Sequence, residues 1–384
     1  MVHYLNLHIV LHPHDFFFSI AGLDTTELSQ ITRNRVKTGN RNQYNDRSTN
    51  PLYNYWVTHI YEIIAAIIIL ILAILLDVIL GDPSPNSPLK FTFRVHPTVL
   101  MGKYTKALEP YFKSPNPRIA KLKGTLLALT VILTFAVPTF FGLWAIFTFL
   151  NIVLYAIVAV ILLKLTICIK LETDWAKAAA KAIHENDLAE AKKFAHFSRR
   201  DSTNLTGPQI TSAVIESMAE NLIDFKLSPI FAYSFLGITG AIAFRAVNTL
   251  DGMVGFKTPE HLHMGWFSAN LDTVINYLPT RFTALLMVLA AALLGEDSKN
   301  AWNIARRDHA KTPSRNHGWP MAAMAGAMRI QLEKPGQYIL GDSVEPLTPD
   351  KILRALKIRN VVIVLCTLIC LPLLILFRLY FFPF

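Results

Sequence analysis

Apolar residues fall in blocks along the chain. Block 60–80 is almost wholly Ile, Leu and Ala, with Glu62 near one end and Asp77 near the other. A bilayer core takes about 20 mostly apolar helical residues, so this block predicts a spanning helix. Tract 124–169 is long enough for two helices with a turn between them; Pro138 and Gly142 lie near its middle and Asn151 interrupts it. Block 361–382 predicts the last span. Two tracts are weaker: 227–247 contains Pro229, Gly237 and Gly240, and 282–294 is only long enough for half a bilayer. Such segments suit re-entrant or discontinuous helices lining a site, or ordinary short spans. The pattern predicts an all-α, polytopic helical membrane protein with five or six apolar segments.

The stretches between blocks differ. Segment 170–226 has apolar residues at helical spacing in an Ala-rich context, "LETDWAKAAAKAIHENDLAEAKKFAHF", and reads as cytoplasmic amphipathic helix. Residues 1–55 are polar and Asn-rich. They lack a positive segment followed by an apolar core, so no signal peptide is expected there. The expected organisation is a disordered polar extension over 1–55 and a membrane-embedded domain over 56–384. His12, His14 and Asp15 in "HPHD" are close enough for a metal site, but a disordered extension is the plainer reading.

Composition agrees with a membrane protein. Only 17% of residues are charged, against about 25% in an ordinary soluble domain, and 52% are apolar, which excludes disorder of the whole chain. Cys168, Cys366 and Cys370 lie inside apolar blocks, where they read as packing residues rather than a disulfide framework or zinc site. The net charge of +10 comes from Lys and Arg concentrated in 90–123 and 296–359, which should be cytoplasmic. No nucleic-acid-binding signature appears, and no nucleic-acid partner is expected.

Polar residues within apolar surroundings carry the candidate chemistry. A helix is expected after Gly207-Pro208. On it Glu216 and Glu220 are four apart and Asp224 continues the stripe, flanked by Ser217 and Asn221. Like charges at this spacing repel, so the ladder suits a cation such as Mg²⁺ carrying a phosphate. It also suits a solvated face paired with Arg199, Arg200 or Lys226. A second cluster holds Arg245, Asn248, Thr249, Asp251, Gly255 and Lys257 behind an apolar tract. Ionisable groups at membrane depth are functional candidates, and an interfacial loop with an Asp cap is the alternative. Asp272, Asn276 and Arg281 make a third cluster. Ser314, Arg315, Asn316 and Gly318 form a turn feeding a helix, a good anion site, whereas "AAMAGA" behind it suits close helix packing. The N-terminal half adds Asp77, Asp82 after a glycine, and His96-Pro97 ahead of Gly102-Lys103. Walker A, GxSxG and GxGxxG patterns are missing.

Taken together, "LDVILGDP", "HPTVLMGK", "SRRDSTNL", "AVIESMAENLIDFKLSPIF", "GAIAFRAVNTLDGMVGFK", "LDTVINYLPTR" and "SRNHGWPMAAMAGAM" resemble the adenosylcobinamide-phosphate synthase family, membrane proteins of cobalamin biosynthesis. The motifs occur in the family's order from about residue 60 to the C-terminus. Asn270 stands where the family usually has Arg, Thr273 where it has a second Asp, and His317 where it has a small residue, so Asp272 alone holds the acidic role in its segment.

The resemblance implies a ligase that joins aminopropanol, or its phosphate, to the free propionate carboxylate of adenosylcobyric acid. ATP with Mg²⁺ would activate the carboxylate. We assign catalysis to Glu216, Glu220, Asp224, Arg245 and Asp251, with Glu216, Glu220 and Asp224 as Mg²⁺ ligands. Substrate binding is assigned to Asp82, His96, Arg200, Asp201, Asn221, Asn248, Asp272, Asn276, Arg281, Ser314 and Asn316. Arg200, Arg245 and Arg281 would neutralise phosphoryl oxygens. The implied partners are the corrinoid and amine substrates, the lipid bilayer of the cell membrane and other membrane enzymes of the pathway. The rival readings are a transporter, and a non-catalytic sensor or scaffold of the same fold.

Overall fold

A computed structural model describes residues 51–83, 90–195 and 203–380. The chain divides into two compact units, Met1–Val57 and Thr58–Phe384, and the architecture below is that of the second. The extension expected over 1–55, with His12, His14 and Asp15, lies outside the described residues up to residue 50. From Pro51 the chain is helical; proline is well suited to a first helical turn.

The helices are α1 (Pro51–Leu80), α2 (Lys90–Arg94), α3 (Pro97–Phe112), α4 (Pro117–Phe149), α5 (Ile152–Lys164), α6 (Lys170–His184), α7 (Leu188–Ala195), α8 (Gly207–Leu222), α9 (Ser228–Val254), α10 (Trp266–Ile275), α11 (Tyr277–Leu293), α12 (Ser298–Asp308), α13 (Gly318–Ala327) and α14 (Pro349–Tyr380). Strands β1 (Leu332–Lys334) and β2 (Tyr338–Leu340) form one short antiparallel hairpin, with Glu333 opposite Ile339. The all-α polytopic class is therefore right.

Among the described residues, four helical stretches are long and apolar enough to cross a membrane, or five if the bent pair α10–α11 is one broken span. Tract 124–169 holds two helices with a turn between them, as expected, although only the first is long enough to span. Asn151 does end a helix and cap the next, its side chain accepting from Leu154 N at 2.8 Å. But α4 runs straight through Pro138, and α5 has only 13 residues, about 20 Å of helix against a core of about 30 Å. Tract 282–294 belongs to α11, which meets α10 at 44°.

The largest departure is α8. Segment 170–226 was expected to be amphipathic throughout, and α6 and α7 are. α8 instead joins α9 in one stretch, Gly207–Val254, that is apolar enough to span and whose most apolar window is two-thirds buried. A capping box of Thr206 and Gln209 starts it. A π-turn, Ile223–Leu227, joins α8 to α9. Gly237 then breaks α9 at φ 71°, ψ −164°, a conformation essentially restricted to glycine.

α14 begins at Pro349, inside the basic loop expected at 296–359. Three of the cations in its first turns have buried or half-buried carboxylate partners. Lys351 pairs with Glu345, Arg354 with Glu296, and Arg359 with Glu172. Cys366 and Cys370 are free, buried packing residues on the same helix, as expected.

Candidate functional site

The π-turn and the second half of α9 create the site. A π-turn holds one more residue than an α-turn and commonly marks a functional position. Here it presents Asp224 sideways, towards the turn before α13. His317 meets it there. Its Nε2 donates to Asp224 Oδ1 at 3.1 Å, and its Nδ1 lies 3.2 Å from Glu220 Oε1. Burial alone would lower the pKa of the His317 imidazole, but the Asp224 and Glu220 carboxylates outweigh it. They hold the pKa well above the ordinary value of 6.5. The ring is therefore an imidazolium bridging two carboxylates. Glu220 is 43% exposed while Asp224 and His317 are each 13% exposed, so the cluster opens outward past Glu220.

Arg245 closes the inner side. Its guanidinium donates to the Asp224 carbonyl at 2.8 Å, to Asn248 Oδ1 at 3.2 Å and to Thr98 Oγ1 at 3.4 Å, and it lies 4.5 Å over the Phe225 ring. Asn248 in turn hydrogen-bonds the Asp224 carboxylate. Asp224 and Asp251 both lie within electrostatic reach of Asp272. Asp251 folds back over Gly255, where a Cβ would stand 2.1 Å from its Oδ1.

The remaining side is a hydrogen-bonded chain. Asn276 donates to Asp272 at 3.1 Å and accepts from Ser228 at 2.7 Å. Asn316 accepts from Arg281 at 2.9 Å and donates to the Thr273 carbonyl at 2.9 Å. Arg281 stacks 3.5 Å over Tyr277. Ser314 caps its own turn, accepting from Asn316 N at 3.4 Å and His317 N at 3.2 Å, so it shapes the turn rather than offering amides to an anion.

Asp82 and His96 form the far end, two residues from Thr98. Lys164 ion-pairs with Asp82 and, at 3.2 Å, with the fully buried Asp77. Burial alone would raise the Asp82 pKa, yet the His96 imidazole, 3.6 Å away, and Lys164 outweigh it and hold the carboxyl below its usual range. Asp82 is also within electrostatic reach of Arg245.

Residues from five separated motifs thus converge: Asp82 and His96; Glu220 and Asp224; Arg245, Asn248 and Asp251; Asp272, Asn276 and Arg281; Asn316. Glu216 stands apart from them. Its two oxygens accept from Ser212 Oγ at 2.7 Å and Tyr338 OH at 2.8 Å, so it pins the hairpin to α8. The ladder Glu216, Glu220, Asp224 is therefore not assembled as a ligand set. Among the described residues, no three His, Cys, Asp or Glu side chains come together to hold a metal ion. Asn221 lines a different pocket. Arg200 and Asp201 lie outside the described residues. His317, Thr98, Phe225 and Lys164 were not singled out as site residues from sequence. For His317 the available signals were its departure from the family's small residue and its place beside Asn316 in "SRNHGW".

Chemically, the cluster offers a guanidinium for anionic oxygens, carboxylates for an ammonium group, and an imidazole within reach of both. A profile of the family described as CobD/Cbib protein matches residues 70–363. The probable cobalamin biosynthesis protein CobD of Methanothermobacter thermautotrophicus is 38% identical over 300 residues, covering 78% of this chain and 95% of that one. The corresponding protein of Thermoplasma acidophilum is 36% identical over 311 residues, 80% and 98% of the two chains. The cobalamin biosynthesis protein CobD of Dehalococcoides mccartyi is 34% identical over 299 residues, 77% and 92%. No solved structure matches the chain.

Proposed function

The chain belongs to the CobD/Cbib protein family, and from that premise we propose that it is an ATP-dependent amide ligase of cobalamin biosynthesis in the cell membrane. It attaches aminopropanol, or aminopropanol phosphate, to the free propionate carboxylate of adenosylcobyric acid. The observation that carries this reading is the convergence of Arg245, Asp224, His317 and Asp272 at one place. Amide formation from an acid and an amine needs those functions together.

Arg245, with Thr98 beside it, holds the anionic oxygens of the acid or of the amine's phosphate. Asp251 and Asp272 match the donor's ammonium group. A carboxylate of this set takes the proton that the nitrogen loses as the C–N bond forms. His317 neutralises the crowded carboxylates and keeps Asp224 and Glu220 in place. ATP with Mg²⁺, when bound, activates the acid. The acidic stripe fits Mg²⁺ poorly as it stands, because both Glu216 oxygens are engaged and His317 fills the gap between Glu220 and Asp224.

The test supplies adenosylcobyric acid, aminopropanol phosphate, ATP and Mg²⁺ to purified protein in detergent. Adenosylcobinamide phosphate should form, with one equivalent of nucleotide consumed. No product from well-folded protein with either amine donor contradicts the reading. One feature favours a transporter as second reading: the break at Gly237 in a polar-lined span. Corrinoid uptake into sealed vesicles without ligation would establish it.

A further inference from the structure

We infer that a second pocket, beside the cluster but outside it, binds a neutral primary carboxamide carried on an apolar body. The pocket lies between α6, α7 and α8. Its cavity of about 30 Å³ is enough for about two waters or one amide group. Glu172, Ser217 and Asn221 supply its polar atoms, and Trp175, Phe194 and Met218 its apolar wall.

Among the described residues, two of those polar atoms have no hydrogen-bond partner. Glu172 Oε2 accepts from Lys226 Nζ at 2.7 Å and from Arg359 at 2.8 Å. Its Oε1 is buried with no hydrogen-bond partner, and so is Ser217 Oγ. The residues are 8% and 7% exposed. Leaving such atoms unsatisfied costs their full desolvation, so a built pocket with two of them calls for an occupant.

Charge selects the occupant. One carboxylate with two cations leaves the group at net +1, which opposes an ammonium ion. A carboxylate ligand would meet the free oxygen of Glu172 head-on. A primary amide avoids both penalties: its N–H donates to Glu172 Oε1 and its carbonyl accepts from Ser217 O–H. The apolar wall covers the carbon skeleton behind it.

The ligand's identity, though not its chemistry, rests on the ligase reading: a corrinoid carries primary carboxamides around its rim. Ser217 and Asp224 are seven residues apart on one continuous helix, a rise of about 10 Å. A macrocycle with its reacting arm at Asp224 can place another arm in this pocket.

The experiment uses full-length protein in detergent and two sets of probes. Propionamide, propionate and propylammonium are compared by saturation-transfer NMR. Propionamide should give the strongest signal. Ser217→Leu, which fills the cavity, should abolish it, and Ser217→Ala, which adds no bulk, should weaken it about two- to tenfold. A preference for either ion, or propionamide binding unchanged in both variants, overturns the proposal. Adenosylcobyric acid and aminopropanol phosphate are then titrated separately. Ser217→Leu should weaken corrinoid binding at least about tenfold and leave the amine unchanged. Unchanged corrinoid affinity beside lost propionamide binding overturns the corrinoid as occupant. Failure of wild-type protein to bind any corrinoid overturns the ligase reading, and the propionamide result alone then decides the pocket.

Discussion

α1 and the stretch Gly207–Val254 are both apolar enough to cross a membrane, yet they are built oppositely. The α1 span, Ile60–Leu80, has a mean hydropathy of 3.4 and only 28% of its most apolar window is buried in the protein. Gly207–Val254 has 1.6, and 67% of its most apolar window is buried. α1 turns Ile64, Ile68, Leu72 and Leu75 outward, where lipid solvates them at no cost. Gly207–Val254 carries Glu220, Asp224, Arg245, Asn248 and Asp251, and it departs from α-helical geometry twice, at the π-turn and at Gly237. The span easiest to recognise is mostly a wall. The span hardest to recognise is the one that carries the candidate site, because its polar groups and bent backbone both erase the hydrophobic signal.

The comparison breaks most directly at the ion group holding the buried span to its neighbours. Glu172→Ala leaves Lys226 and Arg359, both fully buried, without their carboxylate. It should cost about 3–5 kcal/mol of stability, read as earlier unfolding on denaturant titration in detergent. A loss below about 1 kcal/mol would show that these cations find other partners. Gly237→Ala comes next. A side chain in that backbone conformation costs about 1–3 kcal/mol, so melting should fall and turnover with it. A fully stable variant would show that the break is not required. His317 gives a smaller, pH-dependent effect. Its pKa is raised on folding, so its contribution is complete below 6.5 and is lost as pH rises through the folded-state value. Wild type should lose stability on the alkaline side relative to His317→Asn; parallel pH profiles would contradict the bridge. Leu72→Ala, on the lipid-facing side of α1 and 46% exposed, should change melting and turnover least, within about 0.5 kcal/mol.

Much of this was legible in the sequence for a physical reason. Periodicity and block length report what a helix faces, so α1, α4, α9 and α14 were visible, as were the turn at Asn151 and a break within 227–247. The clusters around Asp224, Arg245 and Asp272 were visible because charge in an apolar tract is costly. Glu216 was misplaced because i,i+4 spacing says which residues share a face, not which partner each meets. Its partner Tyr338 lies 122 residues away in a hairpin too short to predict. The π-turn was invisible because no residue type marks it, and with it went the sideways turn of Asp224 that makes His317 its neighbour.

The central claim is that Asp224, and not Glu216, belongs to the reacting cluster. The most direct measurement is turnover of Asp224→Asn and Glu216→Gln in the ligation assay, each corrected for the folded fraction. The account predicts a loss of at least about 100-fold for Asp224→Asn, roughly 2.7 kcal/mol on the barrier, and at most about threefold for Glu216→Gln. Near wild-type turnover by Asp224→Asn, or a 100-fold loss in well-folded Glu216→Gln, would contradict it.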